Sequence, residues 1–252
     1  HTNALGFHAP GRFDKVLAVN KCWLQNFLGD EIRLFVKDFC LENGYSFYDL
    51  REHTGLMRNL MLRNTSRGKW MVNVIFAKNE PQKIEALLNA INDKFSPEAL
   101  NYSINTKLND SIYDLDFIKY AGSFEIREKL CGLEFKISPK SFFQTNTFQA
   151  QKLYDVALDF ANIKSTDVVY DLYCGTGTIT CVAAQKAKKA IGVEIIEEAI
   201  IAARENAAIN NISNTHFEVG DMKDVFNAEF YEKHGSPDII ITDPPRSGMH
   251  PK

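Results

Sequence analysis

Hydrophobic positions fall into two regimes along the 252-residue chain. In the first half, Leu24, Phe27, Leu28, Ile32, Phe35, Val36, Phe39 and Cys40 recur at helical spacing, and Asn43-Gly44 supplies a stop. Leu56–Asn64 and Lys69–Ala77 read as strands joined by Thr65-Ser-Arg-Gly68, a hairpin signal. Asn79 with Pro81 opens a second helix, whose apolar face is Ile84, Leu87, Leu88, Ile91 and Phe95. Leu100–Thr106, Gly122–Arg127 and Leu130–Ile137 read as further strands. Two helices on one face of an antiparallel sheet predict an α+β domain.

The second half alternates strands and helices. A helix begins near Asn146, with Phe148, Leu153, Val156, Ala157 and Phe160 as its apolar positions. A buried strand follows at Asp167–Tyr173, then the turn Cys174-Gly-Thr-Gly-Thr178 and a helix to about Lys186. Strand 190–195, helix 196–210, strand 215–219 and strand 238–242 complete the pattern. This alternation predicts right-handed βαβ units and a doubly wound, mostly parallel sheet. The boundary is placed near 140, with an α+β domain over 1–140 and an α/β domain over 141–252.

Composition adds limits. Apolar residues make up 45% and charged residues 24%, values of an ordinary globular protein. No apolar run approaches the roughly 18 residues of a membrane span. Residues 1–6 show no basic-then-apolar leader, and the chain begins at His1, so a fragment or a processed product is expected. Five scattered cysteines without a CxxC pair argue against a disulfide framework or a zinc site, and a reducing cytoplasm fits. No metal site is expected. The net charge of −3 is uneven: 19 basic against 17 acidic residues over 1–144, then 10 against 15. A polyanion contact is therefore sought in the first half, where Arg58, Arg63, Arg67 and Lys69 cluster on the predicted hairpin. A solvated sheet edge explains such a cluster equally well.

Candidate chemistry sits on successive strand ends. Gly175 and Gly177 lie between a buried strand and a helix, where the backbone can approach a ligand. The dinucleotide fingerprint wants a third glycine at 180, which is Thr180 here, so a nicotinamide cofactor is disfavoured. Glu194 ends the next strand, where a carboxylate can accept both hydroxyls of a ribose; the alternative is a helix-start acid. Asp221 follows the third strand, placed for an adenine amino group or for a turn cap. Together these ends form a candidate adenosine pocket. Asp243-Pro-Pro-Arg246 makes a rigid loop after the fourth strand. Gln144, in Ser141-Phe-Phe-Gln-Thr-Asn146, offers a donor and an acceptor, and Thr145 or Asn146 can cap the next helix.

Ser141–Asn146, Asp171-Leu-Tyr-Cys-Gly-Thr-Gly-Thr178, Gly192-Val-Glu194 and Asp243-Pro-Pro-Arg-Ser-Gly248 together resemble the RNA (uracil-5-)-methyltransferases. Gly6-Phe7-His8 through Cys22 and Gly55–Leu60 are similar to that family's central domain, so the resemblance covers nearly the whole chain. These enzymes use S-adenosylmethionine to make 5-methyluridine in 23S rRNA or tRNA. The resemblance implies a Rossmann-like class I methyltransferase domain, C-terminally incomplete, after the smaller central domain. It implies cofactor contacts from Gln144, Tyr173, Gly175, Gly177, Thr178, Glu194, Asp221 and Asp243. It implies 23S rRNA as the partner, because the Cys22 region is similar to the cluster-binding rRNA branch; a 4Fe-4S cluster is expected only in a longer parent. The nucleophilic cysteine and the Glu base are expected beyond Lys252, so the chain alone is expected to catalyse nothing, and a monomer is expected. Cys174 and Cys181 are read as structural thiols. Other readings are tRNA uridine methylation, methylation of an RNA amine, and a non-catalytic cofactor- or RNA-binding module. Arg246 stands where amine methyltransferases often carry a stacking aromatic, which disfavours the amine.

Overall fold

A computed structural model describes residues 4–246, 248 and 249; the expectations resting on His1, Ser247 and Lys252 lie outside the described residues. Packing divides the chain into two compact units, His1–Ile126 with Ser138–Lys140, and Arg127–Ile137 with Ser141–Lys252. No helix among the described residues is long and apolar enough to cross a membrane.

The first unit opens with a hairpin absent from the sequence reading, β1 (Phe7–Ala9) and β2 (Arg12–Leu17). Helix α1 (Phe27–Glu42) starts at Asn26, whose side chain accepts the Leu28 amide. Strands β3 (Met57–Asn64) and β4 (Trp70–Phe76) form the predicted hairpin, and α2 (Pro81–Phe95) begins with Pro81 in its first turn. Strands β5 (Ala99–Ile104) and β6 (Ile118–Gly122) complete a sheet of order β3-β4-β5-β6. The expected antiparallel sheet is in fact mixed, because β4 and β5 run parallel. Helix α2 supplies the crossover that a parallel pair requires. Trp70, Val72, Val74 and Phe76 alternate onto one face of β4, beneath Ile32, Val36 and Cys40 of α1 and Ile84, Leu87, Leu88 and Ile91 of α2.

The strands expected at 122–127 and 130–137 are placed differently. Gly122 ends β6 at φ +67, and the chain then forms β7 (Ile126–Leu130) and β8 (Leu133–Ile137). Between them Cys131 and Gly132 both adopt positive φ, 50 and 81, the conformation of a type I′ turn. A cysteine rarely occupies that position, so no turn signal was readable there. Residues 127–137, assigned by sequence to the first domain, pack with the second unit.

The second unit continues with α3 (Thr147–Ala161), β9 (Val168–Leu172), α4 (Thr178–Ala184), β10 (Lys189–Glu194) and α5 (Glu197–Ile209). It ends with β11 (Thr215–Val219), α6 (Met222–Val225), α7 (Ala228–His234) and β12 (Ile239–Thr242). All three pairings in the order β11-β10-β9-β12 are parallel, giving an open, doubly wound sheet. Tyr170, Leu172, Ile191, Val193 and Phe230 form a core on one face. The Tyr170 ring stacks on Phe226 at 6.0 Å and meets the Phe230 edge at 5.5 Å, while its hydroxyl donates to the Gly235 carbonyl.

Helix α3 corrects one expectation. Asn146 caps it as predicted, accepting the Gln149 amide. Its buried residues, however, are Ala150, Tyr154 and Leu158. Phe148, Leu153, Val156 and Phe160, read as its apolar face, are exposed. The helix is apolar on two sides, and periodicity alone does not say which one is buried.

Candidate functional site

In a parallel sheet every strand ends at the same edge, so the segments that follow β9, β10, β11 and β12 meet there. Tyr173–Gly177 follows β9, Glu194 ends β10, Asp221 lies two residues past β11, and Asp243 immediately follows β12. The chain leaves β9 toward β10 on one side and returns as β12 on the other. This is the switch point at which open α/β sheets bind ligands.

The β9–α4 loop is built on unusual backbone. Tyr173 holds φ 65, a left-handed conformation costing a bulky residue about 1–3 kcal/mol. It is held by packing against the Tyr170–Phe230 core, and the Cys174 amide donates to the Val193 carbonyl at 3.1 Å. The two glycines serve different needs. At Gly177 (φ 77) a Cβ would lie 2.8 Å from Ala203 Cβ and 2.9 Å from the Phe217 ring, so close packing explains this residue. At Gly175 (φ 53) a Cβ would meet nothing within 4 Å, so the loop presents open backbone there. Thr178 Oγ1 lies 3.0 Å from the Tyr154 hydroxyl. Burial pushes that phenol up to about 12, keeping it protonated.

Glu194 is the hub of the edge. It is buried, with Oε2 accepting the Gly175 amide at 3.1 Å and Oε1 accepting the Ile195 and Ile196 amides at 2.8 and 3.1 Å. It therefore ties the glycine loop to the start of α5, combining the loop-organising and helix-start roles. A carboxylate has about four lone-pair positions. Three are filled, so engaging both hydroxyls of a ribose means giving up an amide bond. Asp221 serves as a turn cap: it accepts the Lys223 amide at 3.1 Å and pairs with Lys223 Nζ at 3.1 Å. Asp243 is exposed, and its amide lies 3.5 Å from the Leu172 carbonyl. Gln144 is half-buried between β8 and α3, next to Phe143, which packs on Phe135 at 6.2 Å. No hydrogen bond joins Gln144 to the strand-end loops among the described residues.

Asp171 was not among the candidate contacts, yet it lies fully buried at the centre of this edge. Its Oδ2 accepts the Thr180 hydroxyl at 2.6 Å, and its Oδ1 has no partner among the described residues. Burial pushes its carboxyl up to about 7, the Thr180 bond opposes this, and the Asp243 and Glu194 charges add to the rise. The readable signal was an acid inside the apolar run Val168-Val-Tyr-Asp-Leu172. The folded pKa exceeds the unfolded one, so this group's contribution to stability falls as pH rises from about 4 to about 7, then levels off. Asp171→Asn removes the buried charge. The variant's stability advantage over the native protein is expected to be larger at pH 8 than at pH 5, by a few kcal/mol at order of magnitude. Denaturant melts at both pH values check this; an equal difference contradicts it.

Two asparagines also escaped the sequence reading. Asn206 accepts the Lys136 amide at 2.9 Å and donates to the Thr176 carbonyl at 3.0 Å, joining β8 to the glycine loop. Asn210, one turn on, accepts the Glu134 amide and donates to the Glu134 carbonyl. Their spacing of four residues, from α5 to the residue that caps it, was the available signal.

The basic cluster of the first unit divides. Arg58 is buried: it donates to the carbonyls of Asn105, Lys107 and Asn109, pairs with Asp110 at 3.1 Å and lies 4.4 Å over the Tyr48 ring. Arg63 is largely enclosed and donates to the Pro139 carbonyl at 3.2 Å. Both organise loops and are withdrawn as phosphate contacts. Arg67 stays at the surface, as does Lys69, paired with Glu98 at 2.9 Å.

All five cysteines are free. Burial raises the thiol pKa of Cys40 and Cys181 to about 12, and Cys174 and Cys131 are also raised. None of these four is poised as a thiolate.

Residues 163–246 match the family described as a methyltransferase domain, and the second unit has the corresponding Rossmann-like α/β fold. An RNA methyltransferase of Porphyromonas gingivalis is 49% identical over 98% of this chain and 54% of its own length. A second, of Bacteroides thetaiotaomicron, is 49% identical over 98% of this chain and 56% of its own. The relatives' names leave their reactions uncharacterized. The chain spans about half the length of the curated relatives it matches. Among solved structures, the tRNA (uracil-54, C5)-methyltransferase of Pyrococcus abyssi, in complex with S-adenosyl-L-homocysteine, matches with a TM-score of 0.79 and 27% identity. That match covers 99% of this chain and 58% of the other.

Proposed function

We propose that this chain is the central and cofactor-binding part of an enzyme that transfers a methyl group from S-adenosylmethionine to C5 of a uridine in RNA. The observation that carries the reading is the convergence of the open Gly175 backbone, Glu194, Asp171 and Asp243 at one edge of the parallel sheet. The fit to the cofactor is electrostatic as well as steric. Asp243 and Glu194 already press on Asp171 as like charges, and the Asp171 Oδ1 lacks a partner among the described residues. A cationic ligand relieves that repulsion. When bound, S-adenosylmethionine supplies a methyl group on a positively charged sulfonium.

The chain's residues then have distinct tasks. Glu194 holds the glycine loop and accepts a ribose hydroxyl, Asp221 faces the nucleoside from β11, and Tyr173 lines the crevice. Thr178 is fixed through Tyr154. Gln144 and Asp243 border the reacting end. Uridine C5 becomes nucleophilic when a thiolate adds to C6; C5 then takes the methyl group, a base removes the C5 proton, and the C6–S bond breaks to release the thiolate and restore the C5=C6 double bond. Cys174 and Cys181 do not serve as that thiolate, because both are enclosed and their thiols are held protonated. We place the thiolate and the base outside residues 1–252.

The similarity around Cys22 favours 23S rRNA as substrate. The match to a tRNA (uracil-54, C5)-methyltransferase favours tRNA as a second reading. Nucleoside mass spectrometry after incubating the intact protein with S-adenosylmethionine and each RNA is the test. The expected product is 5-methyluridine in rRNA. An N-methylated nucleoside, or no methylated nucleoside, overturns the proposal; 5-methyluridine in tRNA alone selects the second reading.

A further inference from the structure

A second cavity, of about 390 Å³, lies wholly within the first unit. Residues from β1, the approach to α1, α1 itself, β3 and the loop after β5 wall it, among them Phe7, Gln25, Arg33, Asn59 and Asp110. Its volume falls in the range of small-ligand sites.

Arg33 is 4% exposed. Its Nη2 pairs with Asp30 at 2.7 Å, and Asp30 also accepts Gln25 Nε2 at 2.6 Å and the Cys22 amide at 3.0 Å. Neutralising Asp30 explains that one nitrogen. Nε and Nη1 are buried and have no partner among the described residues, and the same holds for Asn59 Oδ1 in the same wall. Buried polar atoms of folded proteins are nearly always bonded. Three unmatched atoms lining one cavity point to a ligand that supplies two acceptors and one N–H donor.

Charge narrows the class. Asp30 balances Arg33, and Arg58 balances Asp110 where it lines the cavity. Among the described residues the cavity holds no surplus of either sign. A phosphate would meet the Asp110 carboxylate, and a metal cation would meet Arg33. The complement is neutral, planar and polar along one edge, and the Phe7 ring, 42% exposed and 5.6 Å from the Arg33 guanidinium, offers a stacking face.

Pyrimidine bases carry that edge. Uracil presents O2 and O4 around N3–H, and cytosine presents O2 and N3 beside N4–H. The Watson–Crick edge of adenine offers one acceptor and one donor, and that of guanine one acceptor and two donors. We infer that this cavity receives an unstacked pyrimidine of the substrate RNA, separate from the base that is methylated. The inference rests on the RNA reading above.

The test measures binding of fluorescent rC, rU and rA hexamers by the full chain, native and Asn59→Leu. The rC–rA comparison is independent of any preference for uridine at the methyl-transfer site. The native protein is expected to bind rC about tenfold more tightly than rA, a value typical of a well-formed base contact. Asn59→Leu is expected to abolish that difference while leaving rA binding unchanged. If Asn59→Leu does not fold, Phe7→Ala replaces it and is expected to weaken rC several-fold. RNA binding with no rC preference, a preference that survives in the variant, or equal displacement by inorganic phosphate overturns the pocket and leaves the RNA reading standing. Failure of all three hexamers to bind overturns both.

Discussion

Arg58→Met is expected to destabilise the first unit by about 3–5 kcal/mol, the range for removing one partner of a buried charged network. The native side chain is 1% exposed and satisfies three carbonyls in the 105–109 loop besides Asp110. Hydrogen bonds from a charged donor contribute about 1.5–3 kcal/mol each. Asp110 is 39% exposed and regains water when the arginine is lost, which holds the total below the simple sum. The face-on contact with Tyr48 adds about 1 kcal/mol. Arg58→Lys is expected to recover only part of the loss, since an ammonium cannot reproduce the planar fork. Urea melts followed by near-UV circular dichroism give the values. A change below about 1 kcal/mol would show that the loop is held by other contacts.

Glu194→Ala is expected to weaken S-adenosylhomocysteine binding tenfold or more. One charged hydrogen bond to a ribose hydroxyl accounts for about that factor. The substitution also releases the amides of Gly175, Ile195 and Ile196, so the loop loses its anchor. Glu194→Gln keeps a carbonyl acceptor and is expected to fall between alanine and the native residue. Calorimetry on folded variants measures this. An unaltered affinity in Glu194→Ala would place the ribose elsewhere.

Much of this architecture was legible because local and tertiary signals agree. The stop at Asn43-Gly44 for α1 and Pro81 at the start of α2 frame helices whose apolar stripes face β4. In the second half, alternation of apolar strands with helices implies parallel pairing, and parallel pairing brings the strand-end loops to one edge. What stayed hidden depends on three-dimensional context. Nothing in the sequence says that Arg58 turns inward while Lys69 stays outside. Helix α3 offers two apolar faces, and the one that is buried carries Ala150, Tyr154 and Leu158. Cys131 adopts a conformation usually left to glycine or asparagine, so the β7–β8 turn had no marker. The raised pKa of Asp171 comes from its burial between two other acids, which only the assembled sheet edge creates.

The central claim is that the strand ends of the second unit hold an adenosyl cofactor. Titrating S-adenosylhomocysteine into the isotopically labelled chain while recording amide shifts tests it most directly. Saturable shifts centred on 173–178 and 194–196, with one cofactor bound per chain, are predicted. A folded protein whose amides at these positions do not move at millimolar ligand would contradict the account.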